Sequence, residues 1–163
     1  MKGSMLDLPV IVIGLFLFSI VILISGTIID EFQTATANIT TSSGNSINQT
    51  LISKGETALQ SLDYMIMFAV IGLGIASIIF AFFIRSHPVF FVISIILLIF
   101  FALLSSFFTN SFVEFVEVDP IDVKINDYPL MYSVMTNLPI IITAIGILIA
   151  IALYAKSGTE VGV

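Results

Sequence analysis

Four stretches without one charged side chain dominate this sequence: Leu8–Ile29, Tyr64–Ile84, Val89–Phe108 and Leu138–Ala155. A hydrocarbon core about 30 Å thick is crossed by roughly 20 apolar residues rising about 1.5 Å each. Every run meets that need, the last with help from the apolar Leu130–Met135 before it. In lipid a backbone N–H has no water to turn to, so separated runs of this length are expected to be helices. The remaining composition agrees: 58% of the 163 residues are hydrophobic and 10% charged, where a soluble domain carries about a quarter. The expectation is an all-α membrane protein, a bundle of four transmembrane helices forming one integral domain over residues 1–163.

The run ends carry helix punctuation. Asp7 before Pro9, Ser86 before Pro88 and Asn137 before Pro139 each place a capping side chain ahead of a first-turn proline. Pro139 also allows a second reading, a kink in one helix running from about Leu130 to Ala155. Lys2 ahead of an apolar run resembles a signal peptide, but Leu8–Ile29 exceeds the roughly 7–15 residues of a signal h-region. It is read as a retained first span.

Charge sets the expected orientation. Lys2, Arg85 with His87, and Lys156 fall at the N-terminus, the second connection and the C-terminus, which share one side in a four-span chain. The two other connections, 30–63 and 109–137, hold only Lys54 and Lys124. They carry Asp30, Glu31, Glu56, Asp63, Glu114, Glu117, Asp119, Asp122 and Asp127. Basic residues near span ends stay inside, so both termini are expected inside and the acidic connections outside.

The connections differ in character. Arg85–Pro88 is so short that spans two and three must form an antiparallel pair. In the first connection Asn38–Thr50 has loop chemistry. Its flanks are helical by spacing: Phe32, Ala35 and Ile39 continue the first span, and Leu51, Ala58, Leu59 and Leu62 lead into the second. Spans one and two are therefore expected to project outward as a helical hairpin. In the third connection Phe112, Phe115 and Val116 keep helical spacing until Pro120. Ile121, Val123 and Ile125 then alternate with Asp122, Lys124 and Asn126, the pattern of a half-buried strand or extended segment in need of a partner.

Little in the chain supports catalysis. With no Cys, thiolate metal sites and Cys nucleophiles are excluded, and one His cannot supply a multi-His site. A net charge of −6 with five Lys and Arg argues against nucleic acid. Glu114, Glu117, Asp119 and Asp122 crowd together, but the glycine and terminal Glu of an EF-hand loop are missing, and a solvated acidic face is the better reading. Arg85 and His87 suit lipid headgroups at the membrane surface. Gly72 and Ala76, Ser77 and Ala81, and Gly146 and Ala150 stand four apart, a spacing that lets helices approach closely. The spans contain no Asp, Glu, Lys, Arg or His, which argues against a proton pump or ion-coupled carrier. Asn38-Ile39-Thr40 and Asn48-Gln49-Thr50 are glycosylation sequons in the connection assigned outside. No cofactor and no metal are expected.

The runs RSHPVFFVISIILLIFFALLSSFFTN from Arg85 and NLPIIITAIGILIAIALYAKSG from Asn137 resemble small multi-span proteins of membrane-containing viruses of bacteria and archaea. The resemblance covers about a third of the chain and carries no functional motif. It implies a structural virion membrane protein whose outer segments meet a capsid shell, located in the virion or host cell membrane. The partners expected are the lipid bilayer and other membrane or capsid proteins, with homo-oligomers compatible. Val118, Ile121, Val123, Lys124 and Ile125 are the candidate docking residues. The alternatives are an accessory subunit of a membrane enzyme complex and a holin-like or pore-forming oligomer.

Overall fold

The computed structural model describes residues 7–37, 45–83 and 88–157. All regular structure among the described residues is helical: α1 Asp7–Ala37, α2 Asn45–Phe83, α3 Pro88–Val116, α4 Ile121–Lys124, a 3-10 turn Ile125–Asp127, α5 Pro129–Thr136 and α6 Leu138–Ser157. Helices α1, α2, α3 and α6 are long and apolar enough to cross a membrane. Their most apolar windows are only 17–28% buried. Phe68, Phe83, Leu103 and Ile140 are among the many large apolar side chains left exposed. A water-soluble monomer rarely shows contiguous apolar surface on this scale, so the exposed faces match a lipid solvent.

Helix α6 lies against both α3 and α2, and α1 packs chiefly along α2. Two apolar clusters hold the bundle. The larger sits at one end, where Ile22 and Leu23 of α1, Ile66 of α2, and Phe112 and Val116 of α3 surround Tyr128, Met131 and Met135. The smaller lies near the opposite end of α2 and α6, where Ala81 meets Ala152 and Leu153. Ring pairs add contact, Phe16 with Phe108 at 5.0 Å and Phe91 with Tyr154 at 5.5 Å. Two buried serine hydroxyls find partners within their own helices: Ser19 donates to the Leu15 carbonyl at 2.8 Å and Ser105 to that of Ala102 at 2.9 Å. Back-bonding of this kind satisfies a hydroxyl where water is absent.

Three local expectations are corrected or settled. The segment expected to be extended, Ile121–Asn126, is α4 followed by the 3-10 turn. Its apolar residues fit either period, and packing chooses between them. As a helix it turns Ile121 and Ile125 inward at a four-residue spacing, whereas a lone strand would leave its backbone unpaired. Second, the polar tract expected to be a loop over Asn38–Thr50 is already helical from Asn45, since Asn and Ser favour helix starts. The second sequon lies in that helix, and Asn38-Ile39-Thr40 falls outside the described residues. Third, the chain breaks ahead of Pro139. Asn137 separates α5 from α6 and donates its side-chain amide to the Ser133 carbonyl at 2.8 Å.

The small residues divide into those that touch and those that do not. Gly146 lies so close to Leu98 of α3 that a β-carbon would collide with it. Ala81 is buried in the smaller cluster, Ala76, Ser77 and Ala150 are half-buried, and Gly72 faces open space. Gly74, which spacing alone did not single out, is the close-approach glycine of α2, 2.8 Å from the Ile145 side chain at its missing β-carbon. Gly146→Leu is therefore expected to lower stability by about 2 kcal/mol through overpacking, and Gly72→Leu to leave it unchanged or slightly raised through helix propensity. Thermal unfolding of both variants in the same detergent checks the contrast.

Candidate functional site

The polar chemistry of the chain gathers in the segment between α3 and α6, which folds as a cap over the larger core cluster. The chain leaves α3 with the Val118 N–H reaching the Phe115 carbonyl at 3.4 Å, and the Ile121 N–H closes on Val118 O at 2.7 Å. Asp122 Oδ1 accepts the Val123 N–H at 2.8 Å. Two anchors then fix the cap.

The first anchor is Asp63 of α2. Its buried carboxylate accepts the N–H of Leu130 at 3.1 Å and of Met131 at 2.5 Å. These are the second and third residues of α5, whose first is Pro129. A helix begins with N–H groups that lack intrahelical partners, and a proline there has none to lose. Asp63 thus supplies from another helix the cap that α5 lacks in its own sequence. At the other end of α5, Thr109 Oγ1 of α3 donates to the Met135 carbonyl at 2.8 Å. Both ends of an eight-residue helix are satisfied by its neighbours.

The second anchor is Lys124. Only 5% of its side chain is exposed, and Nζ lies 2.8 Å from Asp127, 2.9 Å from Asp30 and 3.5 Å from Glu56. The three carboxylates come from the 3-10 turn, α1 and α2, so one ammonium ties three elements together. Gly26 of α1 makes the room: a β-carbon there would stand 2.8 Å from both Lys124 Cε and the Tyr128 hydroxyl. Burial alone would lower the lysine pKa. The hydrogen bonds and charges of Asp127 and Asp30 outweigh it and hold the pKa well above the ordinary lysine value. Burial pushes the Tyr128 phenol up, opposed by the charge of Lys124.

Tyr128 is fully buried, and its hydroxyl has no hydrogen-bond partner among the described residues. A buried polar atom left unpaired carries a desolvation cost with nothing to offset it. Tyr128→Phe is accordingly expected to be neutral or to stabilise the fold by about 1 kcal/mol, read by chemical denaturation in detergent.

The candidate docking residues separate into two groups. Ile121, Lys124 and Ile125 face inward and build the cap. Val118 and Val123 stay outside, 56% and 69% exposed, beside exposed Glu114, Glu117, Asp119 and Asp122. Arg85 and His87 lie outside the described residues. Asp63 is the most buried acid among the described residues, and its place between Leu59, Leu62 and Ile66 on the apolar face of α2 is the sequence signal for it. Among the described residues no cluster of three or more His, Cys, Asp or Glu has a geometry that would hold a metal ion. No protein-family model, curated protein or solved structure matches this chain.

Proposed function

We propose that the chain is a non-catalytic, multi-pass membrane protein that anchors in lipid and docks a partner protein through its cap, as part of a larger membrane assembly. One observation carries the reading. Lys124 and Asp63 lock the cap onto α1 and α2, so the segment carrying Val118 and Val123 is a preformed surface. A rigid surface binds without the ordering cost that a loose loop pays on association. Apolar residues left at its crest are the usual anchors of a protein contact, with polar neighbours as rim.

Orientation follows from charge. The acidic residues gather at the cap end, which faces outward, and Lys2, Arg85 and Lys156 keep both termini inside. From Asn45 to Asp63 the second helix rises about 27 Å, far enough to carry the α1–α2 pair beyond the membrane surface. If the resemblance to virion membrane proteins holds, the partner is a capsid protein.

The test is incorporation of a Val118→Asp, Val123→Asp double variant into the native particle that carries the chain. Thermal unfolding first establishes that the variant keeps wild-type stability, as exposed positions predict. Loss of most of its incorporation supports docking through the cap. Wild-type incorporation sinks it and favours a chain held only by its spans.

A further inference from the structure

The uncharged run of α1 sits further out than that of α2. On α2 the run ends at exposed Tyr64, a residue type that gathers at membrane–water boundaries. Beyond it α2 carries exposed Gln60 and Lys54 and half-buried Glu56, a segment suited to water. The run of α1 ends level with that segment. Ile29 lies 3.7 Å from where a β-carbon on Gly55 would stand, and Asp30 shares Lys124 with Glu56. Gly55 is nine residues past Tyr64, a rise of about 14 Å along the helix. The contact with α3 agrees, because Phe16, in the first half of α1, already meets Phe108 at the end of the Val89–Phe108 run. The last residues of the α1 run therefore stand beyond the lipid boundary. Among them Ile24 and Ile28 are 42% and 59% exposed, uncovered by α2 or the cap. Contiguous apolar surface in water marks a contact face.

We propose that this face pairs α1 with α1 of a second copy, as a parallel homodimer about a two-fold axis along the membrane normal. The inference rests on the membrane-spanning part of the reading above and is independent of docking through the cap. Three observations select the occupant. First, Val10, Gly14, Leu17, Val21, Ile24 and Ile28 are all exposed, alternately four and three residues apart. They form one line about 27 Å long, with the seam spacing of paired helices. Lipid reaches only the Val10 end of that line, and a soluble protein only the Ile28 end. An occupant for the whole line needs an apolar helix displaced outward by the same distance, and a second α1 has that displacement by symmetry. Second, α1 carries no charge between Asp7 and Asp30, so like residues meet across the axis without repulsion, and Asp30 is held by Lys124. A two-fold contact through the crest of the cap would instead set Glu117, Asp119 and Asp122 against their own copies. Third, Gly14 has open space where a β-carbon would stand, and a glycine on the seam lets two helix backbones approach closely.

The test places single cysteines in a full-length chain that has none of its own, reconstituted into phosphatidylcholine vesicles. Under mild oxidation Ile24→Cys and Ile28→Cys are expected to give mostly disulfide-linked dimers. Gln33→Cys, exposed on another face of α1, is expected to give about a tenth as much. In mild detergent, native mass spectrometry of the wild type should show two chains. Ile24→Asp, which sets a carboxylate against its own copy, should weaken the dimer at least about ten-fold, and Gln33→Asp should leave it unchanged. Thermal unfolding shows that both variants keep the fold. A wild type of single-chain mass overturns the proposal, as does equal cross-linking at the three positions or an Ile24→Asp dimer as tight as the wild type. Purification from native membranes of one copy beside a different membrane protein overturns it in favour of that protein. Flotation with the vesicles separates the two readings. A chain that fails to float overturns membrane spanning itself, and one that floats as a monomer overturns only the pairing.

Discussion

Replacing Asp63 by alanine is expected to destabilise the protein by about 3–4 kcal/mol, a larger effect than any other single truncation considered. The carboxylate makes two charge-assisted bonds, to the Leu130 and Met131 N–H groups, each worth about 1.5–3 kcal/mol. Removing it leaves two donors at the start of α5 without their acceptor, and of these the Met131 N–H is buried. It also opens space against Met131, which is fully buried. Asp63→Asn keeps one acceptor oxygen and is expected to recover about half of the loss. Chemical denaturation in detergent measures the total, and amide hydrogen exchange locates it. Protection should fall first in α5, because that helix loses its only N-terminal acceptor. Equal loss of protection across all helices, or no loss at all, would show that α5 is held by apolar packing alone.

The same residue shows what the sequence makes legible. The four long helices follow from uncharged length, because lipid imposes internal hydrogen bonding and leaves few alternatives. Their exposed faces follow from the scarcity of charge. The cap was harder to read. Ile121, Val123 and Ile125 satisfy a two-residue period, and Ile121, Lys124, Ile125 and Tyr128 satisfy a helical one. Over so short a run periodicity cannot decide. What decides is tertiary: Lys124 finds carboxylates on α1 and α2, far away in sequence, only when it turns inward. By sequence Asp63 reads only as one acid of an outer connection, and Lys124 as one of the two basic residues of the outer connections and a candidate docking residue. An acid between Leu62 and Ile66, and a lysine between inward-facing Ile121 and Ile125, were the available signals that these charges are buried. The small-residue spacings fared unevenly for a related reason. Four-residue spacing selects a helix face without saying which face meets a neighbour, so Gly146 is in contact and Gly72 is not.

The second large effect concerns Lys124. Lys124→Met keeps much of the apolar stem and removes the ammonium, leaving Asp30, Glu56 and Asp127 turned toward one another. Breaking a fully buried ion pair costs about 3–5 kcal/mol. Here the carboxylates are 30–43% exposed and regain water, so the expected loss is about 2 kcal/mol. The pH dependence separates this charge from simple packing. The folded lysine holds its proton more tightly than the unfolded one, so its contribution is full below the ordinary value of 10.5 and is lost as pH rises beyond it. Tyr128 acts in the same direction. Its folded pKa is raised above the ordinary 10.0, so ionisation favours the unfolded chain in the same alkaline range. Wild-type stability is therefore expected to stay level from neutral pH to about pH 10 as far as these groups govern it, then to fall. The Lys124→Met, Tyr128→Phe double variant should start lower and fall less steeply over that range. Stability curves from pH 7 to pH 11 in one detergent make the comparison. Parallel alkaline limbs would mean that Lys124 is not the charge that locks the cap. A limb flatter than that of Tyr128→Phe alone would tie the rigidity of the Val118–Val123 surface to one ammonium shared by three elements.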